Sequence, residues 1–218
     1  MNAEITAAIV RVAQSLNRTG LNQGTSGNVS ARSGMRSSDF WITPTAFPYD
    51  ALTPADLALV TSDGRLEGRR APSSEWQMHA AVYAARADLG AIVHAHSPYC
   101  TALACLRRDI PAFHYMVAVA GGSNIRCAPY ATFGTAELGA LAVRALEGRR
   151  ACLLANHGLL CAGDTPEAAL ALAIEVEALA AQYHHALQIG TPALLDEAEM
   201  QRVLARFESY KSPSESSP

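Results

Sequence analysis

The sequence is poor in charge and lacks basic clusters. Of its 218 residues, 17% are Asp, Glu, Lys or Arg, the formal net charge is -3, and no run of basic residues occurs. Proteins that bind nucleic acid or anionic membranes usually carry clustered Lys and Arg side chains. The composition therefore argues against nucleic acid and against a membrane surface as partners.

Paired cysteines and long apolar runs are also lacking. The five cysteines are an odd number without a Cys-x-x-Cys pair, which predicts reduced thiols in a cytoplasmic protein. The first stretch, MNAEITAAIVRVAQ, has neither the basic nor the apolar region of a signal peptide, and no run reaches transmembrane length. The absence of a GxxxxGK[ST] motif gives no reason to expect a nucleoside triphosphate.

The apolar content is sufficient for one compact domain, since 50% of the residues are hydrophobic. Apolar periodicity and capping signals predict helices over 3–19, 72–86, 98–106, 135–148, 165–187 and 197–210. Short apolar runs predict strands over 39–43, 56–61, 89–96, 151–156 and 159–163, and the Gly-rich loop in LNQGTSGNVSAR runs into a further short strand. Ser74 and Gln77 fit a capping box at the start of the second helix. Interleaved strands and helices predict an α/β protein, with a single domain over 1–210 and a flexible tail over 211–218.

Three histidines stand in apolar surroundings. His94 and His96 end the run GAIVHAH, and because alternate strand residues share a face, both imidazoles would point the same way. His157 interrupts a second apolar run, ACLLANHGLLCAG, where a polar side chain needs a partner. Three histidines can fill three positions around a zinc-like ion and leave one open. The pattern favours a metal site over separately hydrogen-bonded core histidines.

A carboxylate near a helix start is a further candidate ligand. Glu75 lies in the predicted first turn, where a capping or helix-dipole role is the ordinary one. His79, four residues later, shares the same helix face and competes for the same place. On spacing alone, Glu75 and His79 are equal candidates.

Two small polar segments are suited to an anion. The segment GTSGN (24–28) offers backbone N–H groups in a tight loop, and PSSE (72–75) offers hydroxyl and N–H groups at a helix start. Either segment alone is common turn chemistry. Beside a metal site, the two together indicate a small phosphorylated substrate.

In this order, the segments resemble the class II aldolase/adducin family, and most closely its L-fuculose-phosphate aldolase branch. The matching stretches are LNQGTSGNVSAR, ITPT, PYDALT, PSSEWQMH, AIVHAHSPYCTA, IPAFHYMVAVAGG, CAPYATFGT, NHGLL and FESY. They extend over almost the whole chain, and the ordered set carries the resemblance.

The resemblance implies a three-layer α/β/α fold with a central, mostly antiparallel sheet. It also implies a C4 homotetramer with active sites at subunit interfaces, and one Zn²⁺ per subunit, with Mn²⁺ or Co²⁺ as alternatives. The implied metal ligands are Glu75, His94, His96 and His157, and His79 becomes a structural neighbour. The implied phosphate-binding residues are Gly27, Asn28, Thr45, Ala46, Ser73 and Ser74. Tyr115 and Tyr210 match family tyrosines that approach the aldehyde end of the site, the second across an interface.

The implied reaction is reversible cleavage of a ketose 1-phosphate to dihydroxyacetone phosphate and a short aldehyde. Glu75 would move the proton at C3, and Tyr115 or Tyr210 the proton of the aldehyde oxygen. The ketose remains open among L-fuculose, 5-deoxyribulose and 5-methylthioribulose 1-phosphates. The alternatives are epimerisation, decarboxylation or dehydration on the same site, or a metal-free interaction module, against which the intact histidine triad argues.

One residue departs from the family pattern. Ala46 follows Thr45 where the family's phosphate loop has glycine, a residue that permits positive φ and close backbone approach. Alanine would bind phosphate through the same N–H if its φ is negative. We therefore expect the site to be kept and the loop geometry to be the point of difference.

Overall fold

The computed structural model describes residues 3–34 and 37–211, except for the side chains of Tyr210 and Lys211. Its α-helices are α1 (Ala3–Arg18), α2 (Trp76–Ala85), α3 (Pro98–Cys105), α4 (Ala136–Ala145), α5 (Pro166–Ile189) and α6 (Glu197–Lys211). Its strands are β1 (Asn28–Arg32), β2 (Phe40–Ile42), β3 (Ala58–Val60), β4 (Leu66–Glu67), β5 (Ala91–Ala95), β6 (Arg126–Ala128), β7 (Ala151–Leu154) and β8 (Gly158–Gly163). Short 3₁₀ helices cover Tyr49–Ala51, Pro54–Asp56 and Tyr115–Ala120. None of the helices described here has the length and apolarity needed to cross a bilayer.

The strands form one central sheet in the order β4-β3-β2-β1-β5-β8-β7-β6. Each neighbouring pair is antiparallel except β6 and β7, which run parallel. The predicted mostly antiparallel sheet is therefore confirmed. Strand β5 lies between β1 and β8, so residues at its end are close to both neighbouring strands.

Helices cover both faces of the sheet, as the predicted three-layer architecture requires. On β5, Val93 faces one hydrophobic cluster, shared with α1, α3 and α5. Its neighbour Ile92 faces a second cluster, shared with α2 and α4. Both side chains are fully buried, and burial of each contributes about 1.5–3 kcal/mol to folding. Burial on both faces explains why β5 is a continuous apolar run in the sequence.

The predicted capping box at the start of α2 is wrong. The helix begins at Trp76, its N-cap is Glu75, and no side chain caps it. The chain is still extended before this point, because Pro72 bridges Pro44 and the Ser73 N–H donates to the Thr43 carbonyl at 2.9 Å. This pairing delays the helix beyond Ser74.

Strand β6 and the 3₁₀ helix Tyr115–Ala120 were not predicted from the sequence. Strand β6 has only three residues, and its place at the sheet edge depends on parallel pairing with β7. A single-strand pattern contains no signal for such pairing. The assignment of 1–210 to a single domain stays a prediction, and residues 212–218 of the predicted tail lie outside the described residues.

Arg32, the last residue of β1, fixes the end of α2. It is buried, and its guanidinium donates to the carbonyls of Tyr83 (2.7 Å), Arg86 (3.1 Å) and Leu89 (2.7 Å). The first two carbonyls belong to the C-terminal end of the helix, where a positive charge is favourable. Arg32 thereby ties α2, which starts directly after Glu75, to the central sheet.

We predict that Arg32→Met lowers the free energy of unfolding by about 3 kcal/mol, because the carbonyls of Tyr83 and Leu89, in buried bonds, and that of Arg86, in a part-buried one, lose a charged donor. Urea denaturation followed by circular dichroism measures the change. Arg65→Met is the control, since Arg65 is exposed and pairs with exposed Asp63, so a change within about 0.5 kcal/mol is expected. Equal losses of unfolding free energy in the two variants would contradict the role of Arg32 in holding α2 to the sheet.

Candidate metal centre and anion pocket

The three histidines that the sequence singled out converge at one end of the sheet. His94 belongs to β5, His96 follows its last residue, and His157 lies in the turn between β7 and β8. Pairing of β5 with β8 places this turn beside the end of β5. The Nε2 atoms of His94 and His96 are 3.1 Å apart, and the His157 ring centroid is 4.8 Å from that of His94.

Glu75 completes the cluster. Its Oε2 lies 3.1 Å from His94 Nε2, and its Oε1 lies 3.1 Å from His157 Nε2. One ligand atom from each of Glu75, His94, His96 and His157 lies within 4.8 Å of all the others. His79 is not part of this group, since its two ring nitrogens contact Asn28 and Ser30 instead. The structure therefore places Glu75, and not His79, among the histidines.

The donor set fits a divalent cation. In a tetrahedral site with bonds of about 2.0–2.1 Å, neighbouring ligand atoms are separated by about 3.3 Å, close to the 3.1 Å contacts of this cluster. The Glu75 Oε1 atom is buried and accepts no aligned hydrogen bond in the described part of the chain. Such an atom is expected where a cation binds. Three imidazoles, one carboxylate and no thiolate suit a zinc-type ion with exchangeable positions.

Local structure fixes the direction of the histidine rings. His94 Nδ1–H donates to the Leu159 carbonyl at 2.8 Å, which leaves the Nε2 lone pair facing the cluster. His157 follows Asn156, whose φ of 55° is a left-handed conformation that asparagine tolerates. Gly158 is required next to it, because a Cβ there would lie 2.5 Å from the Ala95 carbonyl oxygen.

The charges inside the site follow from burial and from the neighbouring groups. Burial opposes ionisation of Glu75, but His94 and His157 outweigh this effect and hold the pKa of the carboxyl well below its usual range. Burial lowers the pKa of His79 to about 3, so its imidazole is neutral at physiological pH. Burial opposes protonation of His94, but the Glu75 carboxylate outweighs this effect and raises the pKa of that imidazole. A metal binds an ionised carboxylate and neutral imidazoles, so a bound ion would replace this proton.

A cavity of about 270 Å³ opens beside Glu75 and His96. Besides these two, its lining residues are Thr25, Ser26, Gly27, Asn28, Pro44, Thr45, Ala46, Ser73, Ser74 and Phe133. All six residues proposed from the sequence to hold phosphate thus line one cavity next to the candidate metal ligands. Thr25 and Ser26 lie in the loop that the sequence indicated, but Phe133 was missed because it lies outside every predicted element.

Close backbone packing brings the two polar segments to the cluster. Gly27 has a φ of 71°, and a Cβ there would lie 2.6 Å from the His94 carbonyl oxygen. Only glycine permits this approach of the loop to β5. The Tyr49 hydroxyl donates to the Gly27 carbonyl at 2.7 Å, and Asn22 Oδ1 accepts from the His96 N–H at 3.4 Å. The segment 24–28, which we call the anion loop, and the candidate ligand His96 are therefore held together.

Neither candidate tyrosine is described as part of this cavity. Tyr115 is 51% exposed and packs between His114 and Phe207, with ring centroids 4.9 and 6.4 Å away. It is not among the residues that line the cavity. The backbone of Tyr210 belongs to α6, but its side chain lies outside the described residues.

The Class II Aldolase and Adducin N-terminal domain matches residues 7–184. The chain belongs to the class II aldolase and adducin family. The predicted family and fold are therefore confirmed.

Relatives of this family member are named as aldolases. A 5-methylthioribulose-1-phosphate/5-deoxyribulose-1-phosphate aldolase of Rhodospirillum rubrum is 50% identical over 93% of this chain and 90% of its own. An L-fuculose phosphate aldolase of Escherichia coli strain K12 is 46% identical over 93% of both chains. A solved L-fuculose 1-phosphate aldolase superposes with a TM-score of 0.91 at 40% identity, covering 95% of this chain and 98% of that one. The prediction of an enzyme of the class II aldolase type is confirmed.

Ala46 adopts a backbone conformation that favours glycine. Its φ is 49°, so the condition of a negative φ, under which alanine would simply replace the family's glycine, is not met. A left-handed conformation costs an L-residue about 1–2 kcal/mol. The loop that lines the cavity therefore stores backbone strain at this residue.

We predict that Ala46→Gly raises the free energy of unfolding by about 1 kcal/mol, because glycine adopts this φ without a steric penalty. Thermal or urea denaturation measures the change. Ala51→Gly is a matched control at an exposed position of the 3₁₀ helix Tyr49–Ala51, without a positive φ, and it should lower stability by about 0.4–1 kcal/mol. Changes of the same sign in both variants would rule out strain at Ala46.

Proposed function

We propose that this chain reversibly cleaves a ketose 1-phosphate to dihydroxyacetone phosphate and a short aldehyde. The observation that carries the proposal is that a cluster of three histidines and a glutamate borders, through Glu75 and His96, a cavity lined by polar groups suited to an anion. In a ketose 1-phosphate, the phosphate and the C2 carbonyl are on adjacent carbons, so one such molecule can reach both regions. The names of the relatives support the same reaction.

We propose that Glu75, His94, His96 and His157 hold one Zn²⁺ per subunit, for which Mn²⁺ or Co²⁺ can substitute. When bound, such an ion supplies a Lewis acid for the carbonyl oxygen of the substrate. The backbone N–H groups of Gly27 and Ala46 and the polar side chains of Asn28, Thr45, Ser73 and Ser74 would bind the phosphate.

Glu75 is the residue proposed to move the proton at C3. In condensation, ionised Glu75 removes a proton from C3 and becomes a carboxylic acid; in cleavage, that acid returns the proton to C3 as the C3–C4 bond breaks. The carboxylate is buried and ionised while the histidines surround it, and displacement from them by the substrate would raise its basicity. In condensation a tyrosine hydroxyl, of Tyr115 or Tyr210, would give its proton to the aldehyde oxygen, and in cleavage the phenolate would take the C4 hydroxyl proton.

We further propose a C4 homotetramer with active sites at subunit interfaces, in which the tail residue Tyr210 approaches the site of a neighbouring subunit. Among the described residues no tyrosine lines the cavity of its own chain, which supports this arrangement. The free state of all five cysteines supports a cytoplasmic location.

The favoured substrates are 5-deoxyribulose and 5-methylthioribulose 1-phosphates, because they lack the C5 hydroxyl that L-fuculose 1-phosphate carries next to its terminal methyl group. The ring of Phe133, 63% exposed at the cavity, offers an apolar surface for such an end. The relative from Rhodospirillum rubrum is named for the same two ketoses. Side-by-side kcat/KM values for the three ketose 1-phosphates decide between them.

The metal tests the proposed function directly. Purified protein should contain about one divalent ion per chain, and chelation should abolish cleavage, which added Zn²⁺ restores. His94→Ala, His96→Ala and His157→Ala should each lose metal and activity together. His185→Ala, at an exposed position of α5, is the control and should lose neither. Full cleavage activity in metal-free protein would exclude the proposal.

Glu75→Gln separates proton transfer from substrate binding. Because the amide cannot accept the C3 proton, we expect exchange of that proton in dihydroxyacetone phosphate to fall about a hundredfold or more. Solvent-deuterium exchange followed by NMR measures it, with the metal content of the variant determined alongside. Glu67→Gln, at an exposed position of β4, is the control. Wild-type exchange in a metal-loaded Glu75→Gln variant would leave Glu75 without the proposed role.

A further inference from the structure

A chain of buried hydrogen bonds leads away from Glu75 between β1 and α2. Asn28 Nδ2 lies 3.0 Å from Glu75 Oε2, and Asn28 Oδ1 lies 2.5 Å from His79 Nε2. His79 Nδ1 lies 2.7 Å from Ser30 Oγ, which is 2.8 Å from the Tyr83 hydroxyl. All five residues are buried, and His79 has no exposed surface.

Helix and strand geometry produce this chain from regular spacing. Asn28 and Ser30 are two apart on β1, so their side chains share one face of the sheet. His79 and Tyr83 are four apart on α2, so theirs share one face of the helix. The two pairs therefore interleave where α2 packs on the sheet.

The charge of Glu75 sets the direction of every bond in the chain. An ionised carboxylate only accepts, so Asn28 must turn its NH₂ group to Glu75 and its carbonyl oxygen to His79. His79 Nε2 must then carry the hydrogen. The neutral ring accepts at Nδ1 from the Ser30 hydroxyl, which in turn accepts from Tyr83. Each polar atom of the chain has a complementary partner in this one arrangement.

The same orientation of Asn28 controls a hydroxyl in the anion pocket. The second Asn28 amide hydrogen points to Ser73 Oγ at 3.0 Å, and that oxygen also accepts from the Glu75 N–H at 3.3 Å. With two donors on its oxygen, Ser73 keeps its hydroxyl hydrogen free for the cavity that it lines. A flipped Asn28 would turn its oxygen against Glu75 and take up the Ser73 hydrogen.

We propose that His79 is a positioning residue, whose Nε2–H locks Asn28 in the orientation that donates to Glu75 and leaves the Ser73 hydroxyl to donate to an anion. His79 itself does not line the cavity. The inference rests on the proposed function, because it takes that anion to be the phosphate of the substrate.

Two substitutions of His79 separate positioning from packing. The amide nitrogen of glutamine can take the place of His Nε2, so His79→Gln keeps a donor for Asn28. The shorter asparagine reaches only the place of Nδ1, so His79→Asn keeps a partner for Ser30 alone. Both variants remove the ring from the same buried site, and urea denaturation establishes whether their stabilities match.

The main measurement is the affinity of the zinc-loaded protein for inorganic phosphate, by calorimetry. Loss of one oriented hydrogen bond to the anion should weaken binding about tenfold in His79→Asn, and less than about threefold in His79→Gln. The zinc content should be equal, because neither substitution changes a proposed ligand. Equal losses of phosphate affinity in two variants of matched stability would overturn the inference.

Nitrogen-15 NMR of the protein tests the same arrangement without catalysis. The wild type should show His79 as the Nε2–H tautomer, and the Asn28 side-chain amide signals should move in His79→Asn but stay in His79→Gln. A Nδ1–H tautomer in the wild type would overturn the inference. A wild type that neither binds phosphate nor cleaves a ketose 1-phosphate would instead defeat the proposed function, while the tautomer and the Asn28 signals would still decide the role of His79.

Discussion

The buried negative charge of Glu75 is the constraint on which the rest of the site depends. Removing a carboxylate from water costs several kcal/mol unless charges and hydrogen bonds replace the lost hydration. Here His94, His157 and the amide of Asn28 surround it, while Oε1 still accepts no aligned hydrogen bond from the residues that the structure describes. A divalent cation would complete this environment. Binding of such an ion to the folded chain alone would also stabilise the fold, in proportion to the logarithm of its free concentration.

The sheet supplies the positions that this charge requires. Strand β5 contacts β1 on one side and β8 on the other, so the anion loop before β1 and the turn before β8 both reach its end. Glycine makes both approaches possible, because a Cβ at Gly27 or Gly158 would collide with a carbonyl oxygen of β5. The extended chain at Ser73 then brings Glu75 in from the α2 side. The position of the site therefore follows from the strand order and from the close approach of Gly27 and Gly158 to the backbone of β5.

Sequence reasoning reached the parts of the site that depend on local periodicity. The convergence of His94 and His96 follows from strand alternation, and His157 was evident as a polar residue in an apolar turn. Spacing did not decide between Glu75 and His79, because residues four apart share a helix face; the family resemblance alone favoured Glu75. The choice depends on where α2 begins: Glu75 is the N-cap and turns to the histidines, whereas His79 lies inside the helix and faces β1. The start of α2 is set by pairing of Pro72 and Ser73 with the distant residues Thr43 and Pro44. Local sequence patterns contain no information about such pairing.

Two unfavourable features meet at the same cavity, a buried ionised carboxylate and an alanine in a left-handed conformation. A protein that used this fold only as a scaffold would be more stable with an apolar residue in place of Glu75 and glycine in place of Ala46. Strain and buried charge persist where the surrounding structure holds them for a function, and local rules are most often broken at such sites. Their coincidence with the histidine cluster argues, independently of the relatives' names, that this cavity performs chemistry.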